Sequence, residues 1–423
     1  MPFTLTAEEI PHLRGLAKRM AEIAALPVMR AREKIWTDTN DCVPGARPPF
    51  VMESGSFDRD FMPASLLQCT THEGRWLEQY FLRNIRHHEV LNDDHVCPAS
   101  IDIHWRVWCD QFGVEIKMER AKDAEGYEIG YHWEPPIKDL RNGFGDVKPA
   151  RFGVNREETL EQKAYYENIF GDILAVDIRG DAFGNGSLTG AIVRLLTMEN
   201  FFLAMYDCPD KLHELMAMLR DNAKRQALWA EAEGLLTLNN GNQYSCWSSF
   251  NFTTQLPRQP YFGKPRLCDM WVRLISQETV GVSPEMFHEF CFPYYADLAA
   301  MYGFVYWGCC EPANPFWEKS LSKLPNLRAV SISRWADEAF MAAALEGRDI
   351  KYSRKPDPNL LSLHCDLDEA AWQAHLRATL EVATRHNLPL EFIVRDVSTL
   401  RGNLPKARRA VELARAEIDR FYS

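Results

Sequence analysis

Residues 304–312 read Phe304-Val305-Tyr306-Trp307-Gly308-Cys309-Cys310-Glu311-Pro312. An apolar run stops at a turn, two thiols follow, and a carboxylate comes next. Outward from this stretch, short apolar runs recur at Arg328–Ser333, Ile350–Arg354 and Leu390–Asp396 downstream. Upstream they recur at Pro49–Glu53, Ala99–Trp105, Ile173–Arg179 and Leu235–Asn240. Helical patterns lie between or beside them at 188–206, 209–233, 284–302, 337–346, 368–385 and 404–422. Strands alternating with helices predict βαβ units and a parallel sheet. Eight such strands predict a (β/α)8 TIM barrel, with a doubly wound sheet as the alternative because periodicity does not show closure.

Two segments stand outside that alternation. Residues 1–36 carry Leu13, Leu16, Met20, Ile23 and Ala24 at helical spacing, with Thr6 and Glu9 as a capping box, before Pro44, Pro48 and Pro49 break the pattern. This gives two units: an N-terminal helical arm (1–48) and the barrel (49–423). The arm suits either a homodimer contact or a cover over the barrel. The second segment, Gln243–Trp271, is a long insertion after the fourth strand. It holds Tyr244, Trp247, Phe250, Phe252, Tyr261, Phe262 and Trp271. Long loops are usually functional, and this aromatic content predicts a lid over a flat or apolar ligand. Self-packing at the surface and an oligomer contact are the alternatives.

The chain has 423 residues and a net charge of −11, with no concentrated basic stripe. That excludes nucleic acid as the main partner. No run reaches the roughly 18–20 apolar residues of a membrane span, and the N-terminus lacks a secretory signal pattern. The 11 cysteines are odd in number and contain no CxxC, so they predict a reducing cytoplasm rather than a disulfide framework. Most read as small buried hydrophobes.

Barrel active sites sit at the C-terminal ends of the strands. The residues there are Glu53, His104, Asp177, Arg179, Asn239, Asn240, Asn242, Cys309, Cys310, Glu311, Arg334, Trp335, Arg354, Lys355 and Asp396. Vicinal thiols such as Cys309 and Cys310 do not easily bridge each other. With carboxylate or imidazole help they can hold zinc, which takes sulfur, nitrogen and oxygen ligands. Glu278, His104, Asp396 and the pair His364-Cys365 are the candidate further ligands. Two buried structural thiols are the plainer reading. Serine-hydrolase GxSxG, GxxxxGK[ST] and HExxH patterns are absent. The stretch Gly184–Gly190 follows the third strand but reads as a turn with an N-cap at Ser187 or Thr189. A solvated helix face explains His87, His88 and His95 as well as a site does.

Several phrases resemble the uroporphyrinogen decarboxylase superfamily. They are Phe170-Gly171-Asp172-Ile173-Leu174, the stretch Ser283-Pro284-Glu285-Met286-Phe287-His288-Glu289-Phe290 with Pro293-Tyr294, the opening Trp307–Pro312 turn, and Asn326-Leu327-Arg328 leading to Ser331-Ile332-Ser333. The resemblance covers most of the chain, most strongly from about residue 165 onward. It implies a (β/α)8 barrel. True decarboxylases of the superfamily carry an RQAGR-type motif after the first strand. This chain has Val51-Met52-Glu53-Ser54-Gly55-Ser56-Phe57 there, without the arginines that would hold a porphyrinogen.

The resemblance therefore points to the other branch, zinc-dependent methyltransferases that work with corrinoid proteins and act in O-demethylation of phenyl methyl ethers. Their His-x-Cys motif falls on Cys309 or Cys310, with Trp307 or Gly308 in place of the histidine. Asp396 stands where a further thiolate is expected. The implied zinc site is thus rebuilt with carboxylates such as Glu278, Glu311 and Asp396, or it is lost. No DxHxxG corrinoid motif occurs, so a corrinoid would arrive on a separate carrier protein.

The resulting expectation is a methyltransferase component acting on an O-methylated aromatic substrate. Its metal ligands would be Glu278, Cys309, Cys310 and Asp396. His104, Glu53 and Asp396 would be catalytic. The substrate residues would be Asp177, Arg179, Asn240, Asn242, Tyr244, Trp247, Trp307 and Arg354. Two alternatives are a cofactor-free decarboxylase of a small or aromatic acid, held by Arg179, Arg354 and Lys355, and a non-catalytic ligand-binding barrel.

Overall fold

A computed structural model describes the whole chain except residues 1, 2, 111, 123, 125–127, 181–185, 247 and 423. Eight strands run parallel within it: β1 (Phe50–Met52), β2 (Ser100–His104), β3 (Ala175–Arg179), β4 (Trp271–Leu274), β5 (Phe304–Trp307), β6 (Leu327–Ile332), β7 (Lys351–Arg354) and β8 (Leu390–Val394). Six form one sheet in the order β1-β8-β7-β6-β5-β4, and β2 pairs with β3. The two pieces meet outside the ladders. The Asp94 amide donates to the Phe50 carbonyl at 2.9 Å, and Gly186 bridges Leu274. The fold is thus mixed α/β with a parallel sheet, and among the described residues its ladders form no closed ring.

One strand expectation is corrected. Residues 235–240 are extended but belong to no ladder. The Thr237 amide donates to the Gly180 carbonyl, and the Asn239 side chain pairs with both backbone groups of Trp271. The ladder position goes to β4, whose Trp271-Val272-Arg273-Leu274 run lies at the end of the aromatic insertion. Gly180 is required where these segments cross, because a Cβ there would lie 1.5 Å from the Leu235 carbonyl oxygen.

The helices that concern the site and its support are α1 (Glu9–Ala24), α2 (Pro27–Asn40), α3 (His72–Arg86), α4 (Arg156–Phe170), α5 (Leu188–Leu196), α6 (Met198–Asp207), α7 (Pro209–Ala232), α8 (Pro284–Phe290), α9 (Phe292–Ala299), α10 (Glu338–Leu345), α11 (Glu369–Arg385) and α12 (Leu404–Phe421). The stretch 188–206 is two helices rather than one, broken at Thr197, whose φ is 85°. The stretch 284–302 breaks likewise at Cys291, ahead of Pro293. The Thr6–Glu9 capping box is present, since each side chain accepts the other's amide. Ser187 caps α5.

Strand alternation sorts the core into two faces. Val272, Leu274, Val305, Trp307, Val330, Ile332, Tyr352, Phe392 and Val394 face the helices in the largest cluster. The opposite face is filled differently. Trp271, Phe304, Tyr306 and Ala329 pack with Cys246 and Leu256, while Val51 and Ile393 pack with Trp36 and Phe250. The aromatic insertion therefore lines the inner face of the sheet over part of its length, rather than serving only as a lid. Tyr261 and Phe262 remain outside this packing, with Phe262 86% exposed.

Most polar side chains on that inner face are satisfied by one another, as burial demands, although Trp271 Nε1 is buried without a hydrogen-bond partner. Lys351 and Glu391 pair at 2.7 Å with both side chains fully buried. Ser249 donates to Glu391 at 2.9 Å, and Lys351 donates to Asn40 of α2 at 2.5 Å. Ser353 donates to Glu391, and Lys355 donates to Tyr306 and Ser353.

Candidate active site

The inner face continues past the strand ends and brings a group of reactive side chains together. After β8 the inward position falls on Arg395; after β5 it falls on Gly308, whose positive φ breaks the alternation and turns Cys309 toward the same group. Gly308 makes this turn possible: its φ is 93°, and a Cβ there would stand 3.1 Å from that of Ser331. The buried Glu311 carboxylate holds the turn by accepting the amides of Cys309 (3.0 Å) and Ser276 (3.1 Å). Its role is thus to shape the loop, and burial raises its pKa.

Arg395 stands at the centre of the group. Its Nη1 donates to Cys309 Sγ at 2.8 Å and to Cys246 Sγ at 3.8 Å. Its Nε lies 3.3 Å from Glu53 and 3.5 Å from Asp396. Cys309 and Cys310 Sγ atoms are 3.6 Å apart, and the Cys310 thiol donates to Asp396 at 3.2 Å. Asp396 has a φ of 60°, an uncommon conformation for a residue with a side chain and one that recurs at functional sites. Beside the group is a cavity of about 180 Å³ lined by Cys309, Cys310, Ser333, Trp335, Lys355 and Asp396, among others.

The electrostatics follow from burial. Glu53 is pushed up to about 7, first by burial and then by the neighbouring Asp396 charge, against the pull of Arg395. A carboxyl in that range can give or take a proton near neutral pH. A hydrogen bond from Cys246 draws Cys309 down, but contact with Cys310 and burial together push it up to about 11. Cys246 is raised by its hydrogen bond to Cys309 and by burial. Burial lowers Lys355. Arg395 is disfavoured by burial but held charged by the thiols and Glu53.

The structure therefore brings together Glu53, Cys309, Cys310 and Asp396 from the sequence-derived set. It adds Cys246 and Arg395, which sequence reasoning missed. Glu311, Arg334, Trp335 and Lys355 border this group, and the remaining candidates lie elsewhere. Glu278 accepts from Thr189 at 2.7 Å in the turn after β4. Trp307 points to the helix layer against Tyr295 and is 1% exposed, because it alternates with the inward Tyr306. Arg354 pairs with Glu338 at 2.5 Å on that same outer side.

Asp177 and Arg179 of β3 form a charge cluster with Asp102. His104 ends β2 and is exposed. The Asn240 amide donates to the Leu256 carbonyl, a loop-shaping bond. Tyr244 packs on Phe250 and points its hydroxyl at His95, while Asn242 Oδ1 is buried without a hydrogen-bond partner. Trp247 lies outside the described residues. His87 and His95 are buried and stacked at 4.1 Å, not on a solvated face.

Cys246, Cys309, Cys310 and Asp396 are zinc-type donors in kind, three thiols and a carboxylate, but no three of them lie within 4.8 Å of one another, and the Arg395 guanidinium stands among them. The 3.6 Å between Cys309 and Cys310 Sγ is close to the edge of a tetrahedron with zinc–sulfur bonds of about 2.3 Å. Arg395 would then be a hydrogen-bond donor to the coordinating sulfurs, the kind of partner that tunes such ligands. All 11 cysteines are unpaired. Among the described residues, no single helix is long and apolar enough to cross a membrane.

No family model matches this chain, and no curated protein does. Among solved structures it is similar to a methyltransferase from Methanosarcina mazei, with a TM-score of 0.49 and 10% identity, covering 93% of this chain and 99% of that one. At that identity no residue's role passes from one chain to the other.

Proposed function

We propose that the protein is the methyltransferase component of a corrinoid-linked system, acting on an O-methylated aromatic substrate at a closed (β/α)8 barrel mouth. The observation that carries this reading is the convergence of Cys246, Cys309, Cys310, Glu53 and Asp396 around Arg395, beside a cavity with Trp335 on its wall. A methyl ether needs its oxygen activated before carbon and oxygen can part. A zinc ion, if Cys309, Cys310 and Asp396 closed around it, would supply Lewis acidity at that oxygen, and a corrinoid on a carrier protein would supply the acceptor for the methyl group.

The chain's own residues do the rest. As the C–O bond breaks, its electron pair stays on oxygen. The Glu53 carboxyl gives that oxygen a proton. Arg395 fixes the Glu53 and Asp396 carboxylates and the Cys309 sulfur in one arrangement. Trp335, 66% exposed at the rim, offers an aryl ring a stacking surface.

A lyase acting on a small carboxylic acid is the second reading, favoured by Arg334 and Lys355 on the cavity wall. One assay separates the two. Purified protein is given a reduced corrinoid carrier and a panel of aryl methyl ethers, and in parallel a panel of aryl carboxylic acids. Methylated carrier and free phenol are expected, abolished by Cys309→Ala. Carbon dioxide release without methyl transfer would replace the first reading by the second.

A further inference from the structure

A second group of metal-ligating side chains lies far from the mouth, where α1, the 67–71 loop and α3 meet. His12 Nε2, Cys69 Sγ and a Glu78 oxygen all lie within 4.8 Å of one another. Among the described residues, no other histidine, cysteine or acidic trio is drawn together in this way. Glu78 is 0% and Cys69 1% exposed, while the His12 side chain is 25% exposed. His12 Nε2 is 2.7 Å from Glu78 Oε1. The amides of Gln68 and Cys69 donate to the two Glu78 oxygens at 2.8 and 3.0 Å.

We propose that His12, Cys69 and Glu78 bind a divalent transition-metal ion of the zinc class, which clamps the first helix to the body of the protein. The donor set selects the ion. Imidazole nitrogen, thiolate sulfur and carboxylate oxygen are the three ligand types zinc takes, whereas magnesium and calcium take oxygen. Three protein ligands leave a fourth position for water, which can enter along the exposed side of His12. The two backbone amides orient the carboxylate, as hydrogen bonds to ligands do in metal sites. Without metal the Cys69 thiol keeps its proton, because burial and the neighbouring Glu78 carboxylate, to which it donates, push it up to about 12; a bound cation would replace that proton. Metal uptake forms the metal–sulfur bond and releases the Cys69 proton to solvent, with no change of oxidation state.

The placement gives the ion a structural task. His12 is on α1, Glu78 is on α3, and Cys69 is in the segment leading to α3. Glu9, one turn before His12, already pins the neighbouring Thr70 and Thr71 amides. A metal would add a second tie across the same seam.

The test uses the whole chain with Cys246→Ala, Cys309→Ala and Cys310→Ala, so that the thiols of the candidate active site contribute nothing. The chelator-stripped protein is dialysed against cobalt(II), then against zinc. One equivalent of cobalt with a near-ultraviolet thiolate-to-cobalt absorption is expected. Adding His12→Gln or Cys69→Ser should abolish the absorption and the bound equivalent. His12→Gln is the safer variant, because its side chain is partly exposed, and circular dichroism verifies its fold. Zinc should raise the melting temperature of the parent and leave that of His12→Gln unmoved. Absence of bound cobalt in the parent, or an unchanged band in His12→Gln, overturns the proposal.

Discussion

At the scale of single residues, neighbouring positions on one strand have opposite duties, and the difference is testable. Glu53 follows the outward Met52 and faces Arg395, whereas Trp307 sits one position beyond the inward Tyr306 and is packed among helices. Glu53→Gln keeps the shape but removes the transferable proton. Loss of a positioned acid costs on the order of 100-fold or more in turnover, so kcat should fall by that factor with the urea midpoint nearly unchanged. Trp307→Ala should do the reverse. It should cost about 3–5 kcal/mol of stability, as large aromatic deletions in cores do, with turnover per folded molecule retained. Equal effects of the two variants on turnover would refute the division of faces. The strand ends were legible in the sequence, and reading just past them found Glu53, Cys309, Cys310 and Asp396; which face each side chain takes was not read. Arg395 was missed, although its position two places beyond Ile393 and four beyond Glu391 on the inward side of β8 could have marked it; in a linear reading Asp396 screens it. Cys246 was not legible, because its contact with Cys309 depends on the path of a long loop.

At the scale of elements, seven of the eight parallel strands follow from short apolar runs between helices, while the eighth was hidden. Trp271–Leu274 ends a segment whose many rings and prolines read as loop, and residues 235–240 have a strand's composition without a strand's partners. Composition carries propensity, but ladder membership depends on which neighbour reaches the edge. Helix ends were more legible, because capping is local chemistry. Glu9 illustrates this and yields a pH prediction. Burial tends to raise its pKa, but the amides of Thr6, Thr71 and Thr70 and the Thr71 hydroxyl outweigh it and bring it down to about 2 from 4.5. A depressed acid stabilises the fold above its unfolded pKa, and that contribution drains away as pH falls through the folded value. The seam of α1 with α3 should therefore weaken between about pH 4.5 and pH 2. Glu9→Gln should lower stability at pH 7 by about 1–3 kcal/mol and flatten the acid limb over that window. Urea titrations of both proteins at pH 7 and pH 3 measure it; parallel acid limbs would refute it.

At the scale of the whole molecule, the N-terminal helices and the aromatic insertion act as parts of the interior. Trp36 donates to the Asp94 carbonyl at 2.8 Å and packs on Phe250. The Asn40 amide donates to the carbonyls of both Phe250 and Phe252 at 2.8 Å, and its oxygen accepts from Lys351. One side chain on α2 thus joins the insertion to the buried Lys351–Glu391 pair in the middle of the sheet, and from there Ser353, Tyr306 and Lys355 lead to the cavity. A buried ion pair is worth little against well-packed apolar residues, but leaving one partner without its hydrogen bonds is costly. Asn40→Ala orphans two carbonyls and part of an ammonium, so it should lower stability by about 2–4 kcal/mol. A chain beginning at residue 49 loses Trp36, Arg32 and Asn40 together and uncovers the inner face at Val51 and Ile393. We expect that fragment to collapse without fixed side-chain packing, showing dye binding and no cooperative thermal transition. The full chain and Asn40→Ala should both melt cooperatively. A fragment of residues 49–423 that melted cooperatively near the full-length midpoint would make the helices an appendage. The expected result instead makes the first 48 residues part of one folding unit, in which the polar chain from Asn40 to Lys355 holds the inner face together beneath the site.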